Sequence, residues 1–301
     1  MNSFCTIITA NYFYYAKALY DSLLPYDKNL RFYVLIVDEK EIELTYKSIE
    51  VIHISTIKND CYDDYKKLEK YEEDRICTLR WALKPLFLKY LITELNLDNA
   101  MYVDADIYFY NDFQFLFDKL KKSDVLLTPH WRSIDPKKDS YNFEDVVSRG
   151  IFNAGFFACN NKAINILDWW IEACSYKMKG TDGFFFDQGY LDLLPVYFST
   201  QIEILEHKGC NVANWNRLIC ERKKGDNEVL INNKYSIIFI HFNNLTIRMI
   251  RSGKDQLLID HLNIYSNNLL KHKSAFMFNE NSDSTKNKKK NFLKRFVKKL
   301  K

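Results

Sequence analysis

Residues 101–110, MYVDADIYFY, set Asp104 and Asp106 two apart inside an apolar, aromatic run. Read as a buried strand, the segment puts side chains i and i+2 on one face, so the two carboxylates converge while Ala105 points away. Unpaired, they repel each other and lose hydration. A divalent cation relieves both penalties, because hard oxygen ligands suit Mg²⁺ or Mn²⁺, which take one or two carboxylates and complete their shell with phosphate oxygens. The pattern predicts a metal-bound diphosphate. The competing reading is a pair of solvated turn residues, and the apolar flanks argue against it.

Working upstream, FCTIITA (4–10) is a β-rich apolar run and NYFYYAKALYDSLL (11–24) suits a helix ending at Pro25. LRFYVLIVDE (30–39) reads as a second buried strand, a helix is predicted across the forties, and VIHIS (51–55) reads as a third strand. This βαβαβ alternation predicts an α/β fold with a mostly parallel sheet, helices on its faces and a ligand crevice at the carboxyl ends of the strands. A long helix is predicted over about 75–95, broken or restarted at Pro85.

Downstream, GFFACNN (155–161) is a strand, KAINILDWWIEAC (162–174) a helix and DGFFFDQGYLDLLP (182–195) a further helix closed by Pro195. VLINNKYSIIFIHF (229–242) reads as two strands around an Asn232-Asn233 turn, and a last helix covers about 252–271. With 8 Gly and 5 Pro there are few hinge points, so one domain is expected over 1–270, followed by a polar linker and basic tail over 271–301.

Composition narrows the function classes. Nine of the 43 Lys/Arg residues fall within 286–301, which holds no acid, leaving 34 basic against 39 acidic residues elsewhere. A mildly acidic body of this kind is not a specific nucleic-acid binder. The seven cysteines are odd in number and scattered, with no Cys-x-x-Cys, which argues against a disulfide framework or a zinc site. No apolar run approaches the roughly 20 residues of a membrane span, and a cytoplasmic chain is expected.

Several further stretches occur in an order that resembles one family. ITANY (8–12) follows the first strand, LRWALK (79–84) precedes MYVDADI, and IFNAGFFACN (151–160), FDQGYLD (186–192), NVANWN (211–216) and IHF (240–242) follow. Together they resemble nucleotide-sugar glycosyltransferases of the GT-A fold, most closely the family 8 retaining type, over residues 4 to about 245. The resemblance implies a Rossmann-like single mixed, mostly parallel sheet flanked by helices. It also implies transfer of a sugar from a nucleotide-sugar donor, a UDP-sugar, to a hydroxyl of a glycan, lipid-linked or protein acceptor in cell-surface polysaccharide or lipooligosaccharide assembly.

By that resemblance Asp104, Asp106 and His241 bind Mn²⁺ or Mg²⁺, and the imidazole tilts the preference toward Mn²⁺. Thr9, Ala10, Asn11 and Tyr12 receive the nucleoside, with the tyrosine face available to stack on uracil. Arg80 and Lys84, one helical turn apart, neutralise phosphate or hold sugar hydroxyls, unless they are simply exposed helix charges. Val103 and Ala105 flank the metal carboxylates in the donor site. Asn153, Ala154 and Gly155 line the donor sugar, while Asp187 and Gln188 lie nearest the reacting carbon, where they stabilise a cationic sugar or form a covalent intermediate. The residue-level alternative for these two is a helix cap. After His241 the family usually has a glycine and then Lys-Pro-Trp closing over the phosphates. Here the text is HFNNLTIRM, with Asn243 or Asn244 at the glycine and Arg248 the one substitute for the lysine.

In NFLKRFVKKLK (291–301), Phe292, Leu293, Phe296, Val297 and Leu300 form one helical stripe opposite Lys and Arg. Such a helix suits an anionic membrane surface, which predicts peripheral attachment to the inner face of the membrane. Other enzyme classes fit poorly. A dehalogenase-type phosphatase carries its Asp-x-Asp on the first strand, and a nucleotidyltransferase needs a Gly-rich loop where TANYFYY has no glycine. The remaining alternative is a transferase-like nucleotide-sugar binding or scaffold protein without turnover.

Overall fold

The computed structural model describes residues 1–38, 48–73 and 76–280. The helix expected across the forties and the tail after 280 lie outside these residues. The chain opens with β1 (Ser3–Ile8), passes a 3₁₀ turn at Ala10–Tyr12 into α1 (Phe13–Leu23), and returns as β2 (Arg31–Ile36). Next come β3 (Ile49–His53), α2 (Ile54–Asp60), α3 (Tyr62–Leu68), α4 (Ile76–Thr93), β4 (Asn99–Val103) and β5 (Ile107–Phe109). The middle of the chain adds α5 (Gln114–Leu120), β6 (Val125–Pro129), α6 (Ser140–Arg149), β7 (Phe152–Asn160), α7 (Ile164–Tyr176), α8 (Leu194–Tyr197) and β8 (Ile202–Ile204). It ends with β9 (Arg222–Lys224), β10 (Val229–Ile231), β11 (Tyr235–Ser236), β12 (Phe239–His241), α9 (Asn244–Arg251) and α10 (Ile259–Glu280).

Among the described residues, seven strands form the central sheet in the order β3-β2-β1-β4-β7-β6-β8. All its neighbours run parallel except at β7, which opposes both β4 and β6. This is the mixed, mostly parallel sheet expected from the alternating pattern. Its inner strands β1, β2, β4, β7 and β6 are buried on both faces, and the period of two still sorts their side chains. Cys5, Ile7, Tyr33 and Leu35 pack with α4 and α7 on one side, whereas Phe4, Ile8, Phe32, Val34 and Ile36 pack with α1 and α5 on the other. On the second face Phe4 meets Phe109, Phe113 and Phe117 edge-on at 4.9–5.7 Å.

Some element expectations change. α4 runs unbroken through Pro85 because apolar side chains on every side, including Leu83, Leu86, Phe87 and Leu91, are buried; packing outweighs the lost backbone hydrogen bond. Residues 182–187 do not continue a helix. Asp182, Gly183 and Phe186 have positive φ, and only a short 3₁₀ turn (Gln188–Leu193) leads into α8. The Asn232-Asn233 turn is present, both residues at φ 55°, between β10 and β11. The following residues then separate as β12, which leaves that hairpin to pair with β5.

Candidate active site

Asp104 and Asp106 converge by a turn, which corrects the extended-strand expectation. β4 ends at Val103, and Ile107 N donates to Asp104 O at 3.0 Å, so residues 104–107 close a tight turn as the chain leaves the central sheet. It leaves because β5 pairs antiparallel with β12, in a register that sets Ile107 opposite His241, and Phe242 N donates to Asp106 O at 2.8 Å. That ribbon delivers the imidazole to the carboxylates. His241 Nε2 lies 3.1 Å from Asp106 Oδ1 and 3.9 Å from Asp104 Oδ2.

One ligand atom from each of the three residues lies within 4.8 Å of the others, so the set could hold a metal ion. The surroundings fit that use. Asp104 N donates to Gly155 O at 2.8 Å, and a Cβ on Gly155 would lie 2.6 Å from Asp104 Oδ2 and 2.8 Å from His241 Cε1. Only glycine leaves that space free. Tyr102 donates to Asp104 Oδ1 at 2.7 Å, and Asn153 Nδ2 lies 3.1 Å from His241 Nδ1 while donating to Asn211 Oδ1 at 2.7 Å. These contacts turn Nε2 toward the carboxylates. Burial works against charge on both partners, yet Asp106 holds the imidazole above its ordinary pKa and His241 holds the Asp106 carboxyl below its own.

Lys84 of α4 is not an exposed helix charge. It is buried, with Nζ 2.8 Å from Asp187 Oδ2, 3.0 Å from Ala154 O and 3.9 Å from Asp104 Oδ1. Burial opposes its charge, but Asp187 and then Asp104 outweigh that and raise its pKa. Asp187 caps nothing with its side chain, and burial raises its pKa despite Lys84. Gln188 is held at both ends, donating to Arg149 O at 2.8 Å and accepting from Ala154 N at 3.4 Å. A cavity of about 260 Å³ brings Lys84, Asp104, Asn153, Ala154, Gly155, Asp187, Gln188 and His241 together beneath Trp81, Phe185, Phe186 and Trp215.

The sequence matches the description Glycosyl transferase family 8 over residues 5–246. The chain belongs to glycosyl transferase family 8. Two Bacillus subtilis (strain 168) proteins, the uncharacterized YfnF and YfnD, are each 26% identical to it, over 84% and 81% of this chain and 84% and 78% of their own. Among solved structures, that of galactosyltransferase LgtC in complex with donor and acceptor sugar analogs superposes with a TM-score of 0.52 at 14% identity, covering 81% of this chain and 88% of that one. The fold is therefore GT-A, and the protein is a glycosyltransferase of the nucleotide-sugar type.

In this family 8 chain, the loop Thr9–Tyr12 caps the carboxyl end of β1, outside the 260 Å³ cavity. Ala10 N donates to Asp38 Oδ1 at 2.7 Å, Thr9 Oγ1 to Asn11 Oδ1 at 2.5 Å, and Tyr12 is 44% exposed, its ring neighbouring those of Tyr14 and Tyr15. An accessible aromatic face is what base stacking needs. Arg80 does not line the cavity; its charge reaches Asp106 and Tyr102, and its Nε is buried without a hydrogen-bond partner. Val103 is buried and Ala105 partly exposed in the turn. After His241, Asn243 accepts from Leu245 N and Thr246 N and starts α9, on which Arg248 is exposed and away from the cavity.

Sequence reasoning gave no role to His130, Arg132, Arg149, Trp215 or Asn211. They come from loops or element ends, where no periodicity marks them. A faint signal existed in NVANWN, whose Asn211 adopts φ 59° and fixes Asn153. His130 is kept neutral, its pKa lowered to about 3 by burial and then by Arg132.

Proposed function

We propose that this family 8 glycosyltransferase moves a sugar from a UDP-sugar to a hydroxyl of a glycan, lipid-linked or protein acceptor, with retention of anomeric configuration and with Mn²⁺. The observation that carries the reading is the convergence of Asp104, Asp106 and His241, with Asp104 and His241 opening into one cavity beside Asn153–Gly155 and the Lys84–Asp187 pair. Asp104, Asp106 and His241 would hold a divalent ion, which would supply charge stabilisation to the departing diphosphate. Tyr12 offers a face for uracil, and Arg80 adds positive charge on the phosphate side.

The protein's own groups then act on the sugar. Asn153 and the Gly155 backbone line it, and the aromatic wall keeps water from the reacting carbon. As the anomeric carbon to diphosphate bond breaks, its electron pair leaves on the diphosphate and the sugar becomes oxocarbenium-like. Asp187, held by Lys84, and the fixed amide of Gln188 stabilise that charge. The acceptor oxygen bonds to the anomeric carbon from the leaving group's own face, and its proton passes to a diphosphate oxygen.

The basic segment 286–301 continues the chain beyond α10 and supports peripheral attachment to an anionic membrane surface on the cytoplasmic side, where lipid-linked or cell-surface glycan acceptors are assembled. Among the described residues no helix is long and apolar enough to cross a membrane. The test is UDP release from a panel of UDP-sugars with Mn²⁺, followed by NMR of the anomeric product. Release with an α-linked product from an α-linked donor supports the reading; donor binding with no release from any pairing would instead identify a nucleotide-sugar binding protein.

A further inference from the structure

The cavity holds a second charged cluster that the metal ligands and the Lys84–Asp187 pair do not use. Arg132, just after β6, and Arg149, the last residue of α6, both line it and share one carboxylate. Arg132 Nη1 lies 2.7 Å from Asp145 Oδ2, and Arg149 Nε lies 2.8 Å from Asp145 Oδ1. Both oxygens of Asp145 are thus taken, and the two guanidiniums carry one charge more than it neutralises. The nearby Asp139 is committed elsewhere, capping α6 by accepting from Asn142 N and Asn142 Nδ2.

The Arg132 side chain is only 8% exposed, yet among the described residues its Nε is buried with no hydrogen-bond partner, while Nη1 also donates to Asn142 Oδ1 at 2.7 Å. Leaving a charged donor buried and unused is costly unless a ligand completes it. Arg132 also lies 5.7 Å from the centre of the Trp215 ring, and Arg149 lies 5.5 Å from that of Phe185. The Trp215 face helps screen the buried Arg132 guanidinium from water, which strengthens its pull on an anion, while the Arg149 side chain stays 43% exposed and open to a ligand.

We propose that Arg132 and Arg149 form a subsite for an anionic group, a carboxylate or phosphate, on one of the two sugars that meet at Asp187 and Gln188. The inference rests on the donor-binding reading above. Its position follows from Gln188, which donates to Arg149 O and so joins the cluster to the reacting end of the cavity, away from the Thr9–Tyr12 loop. A guanidinium fork recognises either anion in bidentate fashion. Two sources share that chemistry: a uronate on the donor, or an acid or phosphate on the acceptor.

Calorimetric titration of the full chain separates them. With Mn²⁺, UDP-glucose is compared with UDP-glucuronate; with Mn²⁺ and saturating UDP, glucose is compared with glucuronate and glucose 6-phosphate. The charged member of one comparison binds at least about ten-fold more tightly than the neutral one, and Arg149→Gln brings that ratio close to one. Preference in the first comparison assigns the anion to the donor, and in the second to the acceptor. Equal binding, or no binding of a charged member, in both comparisons overturns the subsite, as does a preference that Arg149→Gln retains. Wild-type discrimination alone decides the matter if the variant does not fold. Failure of UDP itself to bind with Mn²⁺ is failure of the donor reading, and glucose against glucose 6-phosphate without nucleotide still reads the subsite.

Discussion

Gly155 shows how one missing side chain can decide a site. Its backbone carbonyl anchors Asp104, and a methyl group there would press on Asp104 Oδ2 and His241 Cε1 together. Gly155→Ala is expected to fold but to weaken Mn²⁺-dependent UDP binding by about 10–100-fold, measured by calorimetry. Lys84 has the opposite character, a charge whose loss harms the fold. Lys84→Met leaves Asp187 buried and uncompensated and is expected to destabilise by about 3–5 kcal/mol in denaturant unfolding, with much of the loss recovered in Lys84→Met/Asp187→Asn. At this scale the sequence marked Asp104, Asp106, Asn153, Gly155, Asp187 and Gln188, because a carboxylate pair in an apolar run and the family's motifs make them visible. It left Arg132, Arg149 and His130 unmarked, since charged loop residues look solvated until tertiary contacts bury them.

Elements set where those residues go. The turn at 104–107 and the β5–β12 ribbon could not be read from MYVDADIYFY, which looks like one strand because β4 and β5 are both buried and abut in sequence. α9 was missed for a different reason: at eight residues it is too short for its apolar face to repeat, and its start is fixed by the Asn243 cap. α10 packs on α1 through Asp21, which lies 3.0 Å from Lys271 Nζ and 2.7 Å from His272 Nε2. Burial raises the pKa of Asp21, but His272 and Lys271 outweigh it and bring the carboxyl below its ordinary value. A depressed folded pKa adds stability above the unfolded pKa and loses it as pH falls through the folded one. Asp21→Asn is therefore expected to be about 1–3 kcal/mol less stable than wild type at pH 7, with the gap closing as pH drops below about 4 in thermal melts.

For the molecule as a whole, the βαβαβ alternation carried the sheet class, and the joint order of the motifs carried the family. The strand order and the lone reversal at β7 were not legible, because pairing partners are fixed by contacts far apart in sequence. The asymmetry between an acidic body and a basic tail predicts that the full chain sediments with anionic vesicles, that a 1–280 truncation does not, and that about 0.5 M salt releases the full chain. The donor site is what the rest of the molecule serves, and titration with UDP in the presence and absence of Mn²⁺ reads it most directly. Wild type is predicted to bind UDP at least about ten-fold more tightly with the ion, and Asp104→Ala/Asp106→Ala to lose that dependence. Binding of UDP that is indifferent to Mn²⁺ in wild type, or Mn²⁺ dependence that survives in the double variant, would contradict it.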